Sequence, residues 1–382
     1  MRILLALSPQ ATGGVTGSTV WLRNLYEPLV DIGHEVVLVD ATPGARARLS
    51  RDSRLRTLFS EHLWLTFVSE HRRKPFDLVF TYLMDGMVDP AVIDGMRGLG
   101  VPTCNFSCNN THQFDLVEDL SPHFGFSAHS EKDAAGKFRA IGANPVWFPM
   151  AANPNYYRPL DVPRVHDVTF VGQRYAKRPT YIWHLLENGL DVDVYGPGWR
   201  LSREGRVGEL RRFARRTALA GAAVAAAEPA KRATASARLA WLDSAERLRR
   251  TYPAAMHGPV TDDEMVRKYS ESCISLGFTE VFDQHDPSLV VKRHLHLRDF
   301  EGPMCGALYL TGECAELPEF YEPDVEVLVY HNEDELLEKA RFYLHHDDAA
   351  SKIRLAGHAR ARRDHTYHVR WQALLRQVTK AS

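Results

Sequence analysis

The chain begins with an almost unbroken apolar run, Arg2-Ile3-Leu4-Leu5-Ala6-Leu7, which predicts a strand buried on both faces. The run is too short for a signal peptide and lacks a small-residue cleavage site, so a first strand is the expectation. Trp21, Leu22, Leu25, Leu29 and Ile32 keep helical spacing up to Gly33, and Glu35 to Asp40 reads as a second strand. Residues 46–73, rich in Arg and Leu, read as helical. Further strands are predicted at Asp77–Tyr82, Val101–Phe106, His123–Ser127 and Asn144–Phe148, with helices at Asp89–Arg97 and Ser130–Ile141 between them. Such alternation of strand and helix argues for a parallel, doubly wound sheet.

Pro149, Pro154, Pro159 and Pro163 then interrupt the pattern and read as a domain linker. A second α/β series starts with the strand Asp167–Gly172, a helix at 178–188 and the strand Asp191–Tyr195. Residues 200–250 break the rhythm with many arginines and an Ala-rich centre, Ala218 to Ala227, and read as a helical insertion. This insertion reads as a solvated helical hairpin, a cap over an acceptor or a surface for an anionic partner. The pattern resumes with Ala254–Gly258, a helix at Asp262–Ser270 and the strand Cys273–Leu276. A polar loop at 277–290 follows, then a short helical piece from Arg298 closed by Gly306, and the strand Ala307–Leu310. The strand Glu326–Tyr330 and helices from Asp334 onward complete the chain, the last helix at about 365–379. The expected domains are 1–155, with residues 364–382 crossing back to it, and 156–363.

Composition narrows the field. At 382 residues the chain is long enough for two domains, and its net charge of −1 gives no global field toward nucleic acid or membrane. No stretch of about 18 apolar residues is present to span a bilayer. The five cysteines form no Cys-x-x-Cys pair, so a cytoplasmic protein with reduced, buried thiols is expected. Asp283-Gln284-His285-Asp286 has the wrong spacing for Asp-x-Asp, and no histidine group reads as a metal site, so neither a metal nor a cofactor is expected.

Candidate chemistry gathers where strands end. Ser8 to Gly17 is a Gly-rich strand-to-helix turn, either a tight turn or a place where backbone amides of Gly13 and Gly14 approach a ligand. Gly172 is followed by Arg174, Lys177 and Arg178 near a helix start, cations placed for phosphates. Glu301 opens the short helix and offers a carboxylate to ribose hydroxyls, with Arg298 one turn before it.

The second half resembles glycosyltransferases of the GT-B fold, closest to the spore-maturation-protein-like (CgeB-like) branch of the group-1 enzymes. The residues that carry the likeness are Phe170-Val171-Gly172 with Arg178, Tyr195-Gly196 with Trp199, and Gly258 with Tyr269 and Ser272 to Leu276. Arg298, Phe300-Glu301, Pro303, Cys305-Gly306-Ala307 and Thr311 follow, then Pro318-Glu319-Phe320, Tyr330, Glu335-Leu336, Gly357, His365-Thr366 and Arg370. The likeness covers about 167–372. It implies two Rossmann-like domains facing a cleft, with a nucleotide-sugar held mainly by the second, and a reaction without metal. The nucleotide-sugar is a co-substrate.

In that family a pair of glutamates lies eight residues apart, and the first position here is Arg293. Either another group meets the sugar, or Arg293 or Lys292 contacts phosphate. Ser275 to Phe278, including Gly277, and the backbone from Gly306 would line the donor pocket. Tyr195 and Trp199 would stack on a base or serve as core. Gly13, Gly14 and Thr16 would face the donor from the first domain. His112 and Asp115 are candidates for acceptor activation or for contacts to the transferred sugar. The implied activity is hexosyl transfer from a UDP-, GDP- or dTDP-sugar to a small molecule or glycan, with retention. A non-catalytic nucleotide-binding module and a sugar-nucleotide epimerase are the alternatives. Base, sugar, acceptor and oligomeric state, homodimer included, stay open.

Overall fold

The structure is a computed structural model that describes residues 1–9, 18–200, 246–282 and 291–380. The chain divides into two compact units, Met1–Tyr156 with Arg362–Ser382, and Tyr157–Ala361.

The first unit is built on β1 (Arg2–Leu7), β2 (Glu35–Asp40), β3 (Leu78–Thr81), β4 (Thr103–Ser107), β5 (Phe126–His129) and β6 (Pro145–Trp147). All pair in parallel, in the order β2-β1-β3-β4-β5-β6. Every residue of β1 is buried, because helices cover both faces of a parallel sheet. A π-helical turn at Leu22–Tyr26 runs into α1 (Glu27–Asp31), followed by α2 (Thr42–Ser50), α3 (Ser53–Arg73), α4 (Pro90–Gly98) and α5 (Ala135–Ala140). Asp52 caps α3 by accepting from the amides of Arg54 and Leu55, and Asp89 caps α4 through Ala91. The fifth strand starts at Phe126 rather than His123, since Ser121–His123 winds into a 3-10 turn.

The second unit repeats the plan with β7 (His166–Val171), β8 (Val192–Tyr195) and β9 (Ser272–Leu276). The hairpin β10 (Glu280–Phe282) and β11 (Val291–Arg293) follows, then β12 (Tyr309–Gly312) and β13 (Leu328–Tyr330). Its parallel sheet has the order β13-β12-β9-β7-β8, and the hairpin is antiparallel. Its helices are α6 (Arg178–Glu187), α7 (Asp262–Glu271), α8 (Arg298–Met304), α9 (Glu333–His345) and α10 (Asp347–Asp364). Thr261 and Glu264 close a reciprocal capping box on α7. In both sheets the chain winds outward one way and then returns to the other side of the first strand. That reversal places a crevice between β1 and β3, and another between β7 and β9, each at the carboxyl ends of the strands.

Two sequence expectations change and a third is met. The stretch expected as a polar loop carries β10 and its hairpin, because Val281 pairs with Lys292. Ala254–Gly258 forms a 3-10 turn at Pro253–Ala255 and a single bridge from Met256 to Val194, too little for a strand. The Pro-rich segment does carry the boundary between the units, at Tyr156–Tyr157, and it is packed. Met150 to Asn153 are buried, the Asn153 side chain donates to the Arg23 carbonyl at 2.7 Å, and Tyr157 is fully buried. The expected insertion lies mostly outside the described residues, as do Asp283 to Asp286, Gly13, Gly14 and Thr16; residues 246–251 are helical.

The last helix, α11 (Tyr367–Lys380), belongs to the first unit. Trp371 is fully buried, its ring 4.5 Å from Phe80 and 5.3 Å from Phe148, and its indole N–H donates to the Leu25 carbonyl at 3.0 Å. Trp371→Ala should cost about 3–5 kcal/mol, the range for a large buried aromatic. Leu355→Ala, at a position 69% exposed, should stay within about 0.5 kcal/mol. Urea unfolding followed by far-UV circular dichroism measures both, and equal small effects would show that α11 is not anchored through this ring.

Candidate functional site

The crevice of the second sheet is framed by the turns after β7, β9 and β12. Gly172 follows the last residue of β7, and a side chain there would meet the Phe170 ring. Trp199, fully buried, donates its indole N–H to the Gly172 carbonyl at 2.7 Å and so fixes this turn. Gly277 ends β9. A Cβ there would lie 2.5 Å from the Thr311 hydroxyl oxygen and 2.6 Å from that of Tyr309, so only glycine lets the turn approach β12.

Arg178 is the first residue of α6, and Lys177 its exposed N-cap. The Arg178 guanidinium donates to the Gln173 carbonyl at 2.8 Å and lies 5.4 Å from the Phe170 ring. Its Nε is buried with no hydrogen-bond partner, and it forms no ion pair among the described residues. Burial pulls this group down to about 10, further than nearby Tyr309 and Tyr330 raise it; the Arg298 charge acts in the same downward direction. The result is a part-buried cation at the positive end of a helix, its Nε withdrawn from solvent and its guanidinium in no ion pair among the described residues.

The neighbouring carboxylates are committed elsewhere. Asp299 is almost fully buried and accepts from the Thr311 hydroxyl at 2.8 Å and the His296 amide at 2.7 Å. Burial pushes it up to about 6, against the lowering effect of those bonds and of Arg178. Glu301 is fully buried and pairs one turn back with Arg298, while its Oε1 has no hydrogen-bond partner. The Tyr157 side chain lies close enough to feel that charge. Burial opposes the Arg298 charge, but Glu301 holds the guanidinium protonated. Glu280 is also buried, bonded through Oε1 to Tyr181 and Arg293, with Oε2 unpartnered.

Several sequence expectations for side chains meet a different geometry. Glu301 does not stand open at the helix start, because its spacing from Arg298 favours the internal pair. Arg293 is no spare phosphate cation: it bridges Glu313 at 2.7 Å and Glu280 at 3.3 Å. Ser275 faces into the sheet, its hydroxyl 3.4 Å from that of Thr169. Tyr195 stacks on His257 at 4.5 Å and is buried, and Trp199 is core, so neither presents a face for a base. Gly306 takes the left-handed conformation (φ 72°) that ends α8, close to Pro159. Arg174 is half-buried, its amide bonded to the Pro197 carbonyl at 3.1 Å.

His112 and Asp115 belong to the first unit. His112 is buried in the turn after β4, and Asp115 is exposed in the 3-10 turn Phe114–Leu116. Neither lines the cavity at the β1–β3 crevice, where Trp21, Tyr82, Asn109 and Gln113 do. Asp299 and Glu280 were missed from sequence: one carried no motif, and the other sat in an apparent loop. Among the described residues no group of histidine, cysteine and carboxylate could hold a metal. No helix there is long and apolar enough to cross a membrane, and all five cysteines are free.

The sequence profile of a family described as glycosyl transferase-like matches residues 180–376, more than half of the chain. No protein of curated function matches in sequence. Among solved structures, the chain is similar to sucrose-phosphate synthase from Thermosynechococcus elongatus, with 11% identity, a TM-score of 0.59 and full coverage of both chains. It is similar to Anabaena HepE in complex with UDP-glucose, with 11% identity, a TM-score of 0.58 and full coverage of both chains. AviGT4, a glycosyltransferase involved in avilamycin A biosynthesis, shares 15% identity at a TM-score of 0.56, covering 100% of this chain and 98% of that one. At such identities these likenesses show the fold, and with the two parallel sheets they bear out the GT-B class.

The buried Asp299 has a consequence for stability. Its proton is held more tightly in the folded chain than in the unfolded one, where the ordinary value is 3.8. Its contribution is therefore most favourable below pH 3.8 and is lost as pH rises to about 6, by up to about 3 kcal/mol. Asp299→Asn should flatten that part of the stability profile. Urea midpoints at intervals from pH 4 to 7 check this, and parallel profiles for the two proteins would contradict it.

Proposed function

The chain belongs to the glycosyl transferase-like family, and from that premise we propose that it moves a sugar from a nucleoside diphosphate donor to an acceptor hydroxyl. The observation that carries the reading is Arg178, a cation without a counter-ion at the strand-order reversal of the second sheet. A departing nucleoside diphosphate carries growing negative charge, and a positioned, part-buried cation at the positive end of a helix stabilises that charge. The start of α6 adds the positive end of the helix dipole, while its first amides are taken up by the Tyr175 and Lys177 carbonyls and Pro179 has none to give. Arg174 and Lys177, on the same turn, supply further positive charge. Glu301, fully buried and paired with Arg298, acts by holding that guanidinium in place rather than by meeting the ribose itself. Glu280 offers its free Oε2 to a sugar hydroxyl, in place of the carboxylate that Arg293 displaces.

In this reading the second unit binds the donor, with UDP-, GDP- and dTDP-sugars as candidates, and the acceptor is a small molecule or glycan. With retention, the leaving phosphate can take the acceptor proton, so no dedicated base such as His112 or Asp115 is required. No metal is assigned to the reaction.

Isothermal titration of the full chain with UDP, GDP, dTDP and the matching nucleosides tests the reading. Arg178→Gln should weaken diphosphate binding by about tenfold to a hundredfold, the equivalent of one charge-assisted hydrogen bond, while leaving nucleoside affinity unchanged. Undiminished diphosphate affinity in a folded variant would sink the assignment. Release of the nucleoside diphosphate from the matching sugar donor tests turnover.

A further inference from the structure

The first unit has its own crevice at the strand-order reversal, between β1 and β3, and it holds a cavity of about 310 Å³. One wall is aromatic. Trp21 meets Tyr82 edge to face at 5.0 Å and Phe106 at 5.5 Å, and Met84, Met87 and Leu116 continue the apolar lining. The opposite rim is polar and rigid. Asn109 sits in the left-handed region (φ 63°), which a side-chain-bearing residue rarely adopts. Glu131, almost fully buried, accepts from the Asn109 and Asn110 amides at 2.8 Å each, and Lys137 donates to the Asn110 and Thr111 carbonyls. A buried carboxylate and an ammonium thus hold this strained turn in place. The side-chain amides of Asn109 and Gln113 and the Trp21 indole N–H form no hydrogen bond among the described residues, although all three residues line the cavity.

Arg48 and Leu49 separate this cavity from an adjoining groove that also contains Arg51 and Arg56. None of the three arginines forms an ion pair or side-chain hydrogen bond among the described residues. The two acids of the groove are occupied. Asp52 accepts from the Arg54 and Leu55 amides, and Asp85 from the Asp119 and Leu120 amides. Arg51 is itself left-handed (φ 54°) at the end of α2, where glycine is the usual residue. An apolar cavity with a few unsatisfied polar groups is the usual form of a small-molecule site. Unpaired arginines beside it are suited to a phosphate or carboxylate.

We propose that the first unit binds an anionic amphiphile, with its apolar body against Trp21 and Tyr82 and its phosphate or carboxylate on Arg48, Arg51 and Arg56. As the identity of the sugar acceptor, this rests on the transferase reading; as a binding site it does not. An aromatic phosphate and a lipid phosphate share this chemistry, and the choice of probe separates them.

The test is titration of the full chain with 2-naphthyl phosphate, decyl phosphate below its micelle concentration, inorganic phosphate and 2-naphthol. Each titration is repeated in the Arg178→Gln background, so that binding at the second unit is not mistaken for binding at the first. At least one organic phosphate should bind about tenfold or more tightly than both inorganic phosphate and 2-naphthol. Tighter binding of the decyl compound identifies a lipid source, and of the naphthyl compound an aromatic one. Arg48→Gln and Arg56→Gln should each bring the organic phosphate down toward the neutral ligand, and Trp21→Ala should bring it toward inorganic phosphate. Equal affinity for inorganic and organic phosphate, or no response to the arginine substitutions, overturns the proposal. Titration with the nucleotide separates the two readings. Amphiphile binding without nucleotide binding counts against the donor site alone, and the converse counts against this site alone. Unchanged thermal unfolding midpoints show that each variant is folded.

Discussion

An arginine partly withdrawn from water with no ion pair is costly, and Arg178 is in that position, its Nε buried without a partner. The positive end of α6 adds to the strain instead of relieving it. What the protein offers in compensation is weak: one carbonyl, from Gln173, and the faces of Phe170 and Tyr175 at 5.4 and 5.8 Å. Such an arrangement is stable only because the surrounding core is well packed, and its unfavourable field is relieved by an entering anion. The rest of the crevice makes sense as a means of keeping that field uncompensated.

Asp299, the acid that feels the Arg178 charge, and the other buried acids of the second unit's crevice are each held in another bond. Asp299 is tied to Thr311 and to the His296 amide, Glu301 to Arg298, and Glu280 to Tyr181 and Arg293. Were one of them to pair with Arg178, a phosphate would first have to break a buried ion pair. Arg293 therefore acts at one remove. By bridging Glu280 and Glu313 it neutralises two carboxylates of the hairpin and the turn after β12. The exchange of a glutamate for an arginine at this position changes the charge of a neighbour's environment without leaving the crevice empty of carboxylates.

How much of this could be read from the sequence depended on the range of the interaction. β1 was legible because a strand buried on both faces writes itself as an apolar run. The sequence Gly172 to Arg178 was legible because a turn and a helix start are local. The Arg298–Glu301 pair was also local, three residues apart on a helix, yet the expectation of an open carboxylate overlooked it. The partners of Arg293 lie 13 and 20 residues away, across a hairpin that was taken for a loop. The cavity wall of Trp21, Tyr82 and Asn109 is drawn from three separate elements, and no spacing rule connects them. His112 and Asp115 stood out by residue type, but type alone does not say which way a turn faces.

The two units share a strand order and so share the place where a ligand can enter, but they furnish it with different chemistry. In the second, the buried polar atoms without hydrogen-bond partners among the described residues include charged ones, Arg178 Nε and Glu280 Oε2, as suits a ligand that carries charge into the site. In the first, the charges lie in the groove beside the cavity, while the cavity itself is aromatic and apolar. A parallel α/β sheet fixes only the crevice; the loops beyond the strand ends decide what fills it. Two copies of one plan can thus serve two unlike molecules, because the side chains that distinguish them lie outside the packed layers and can change without disturbing either core.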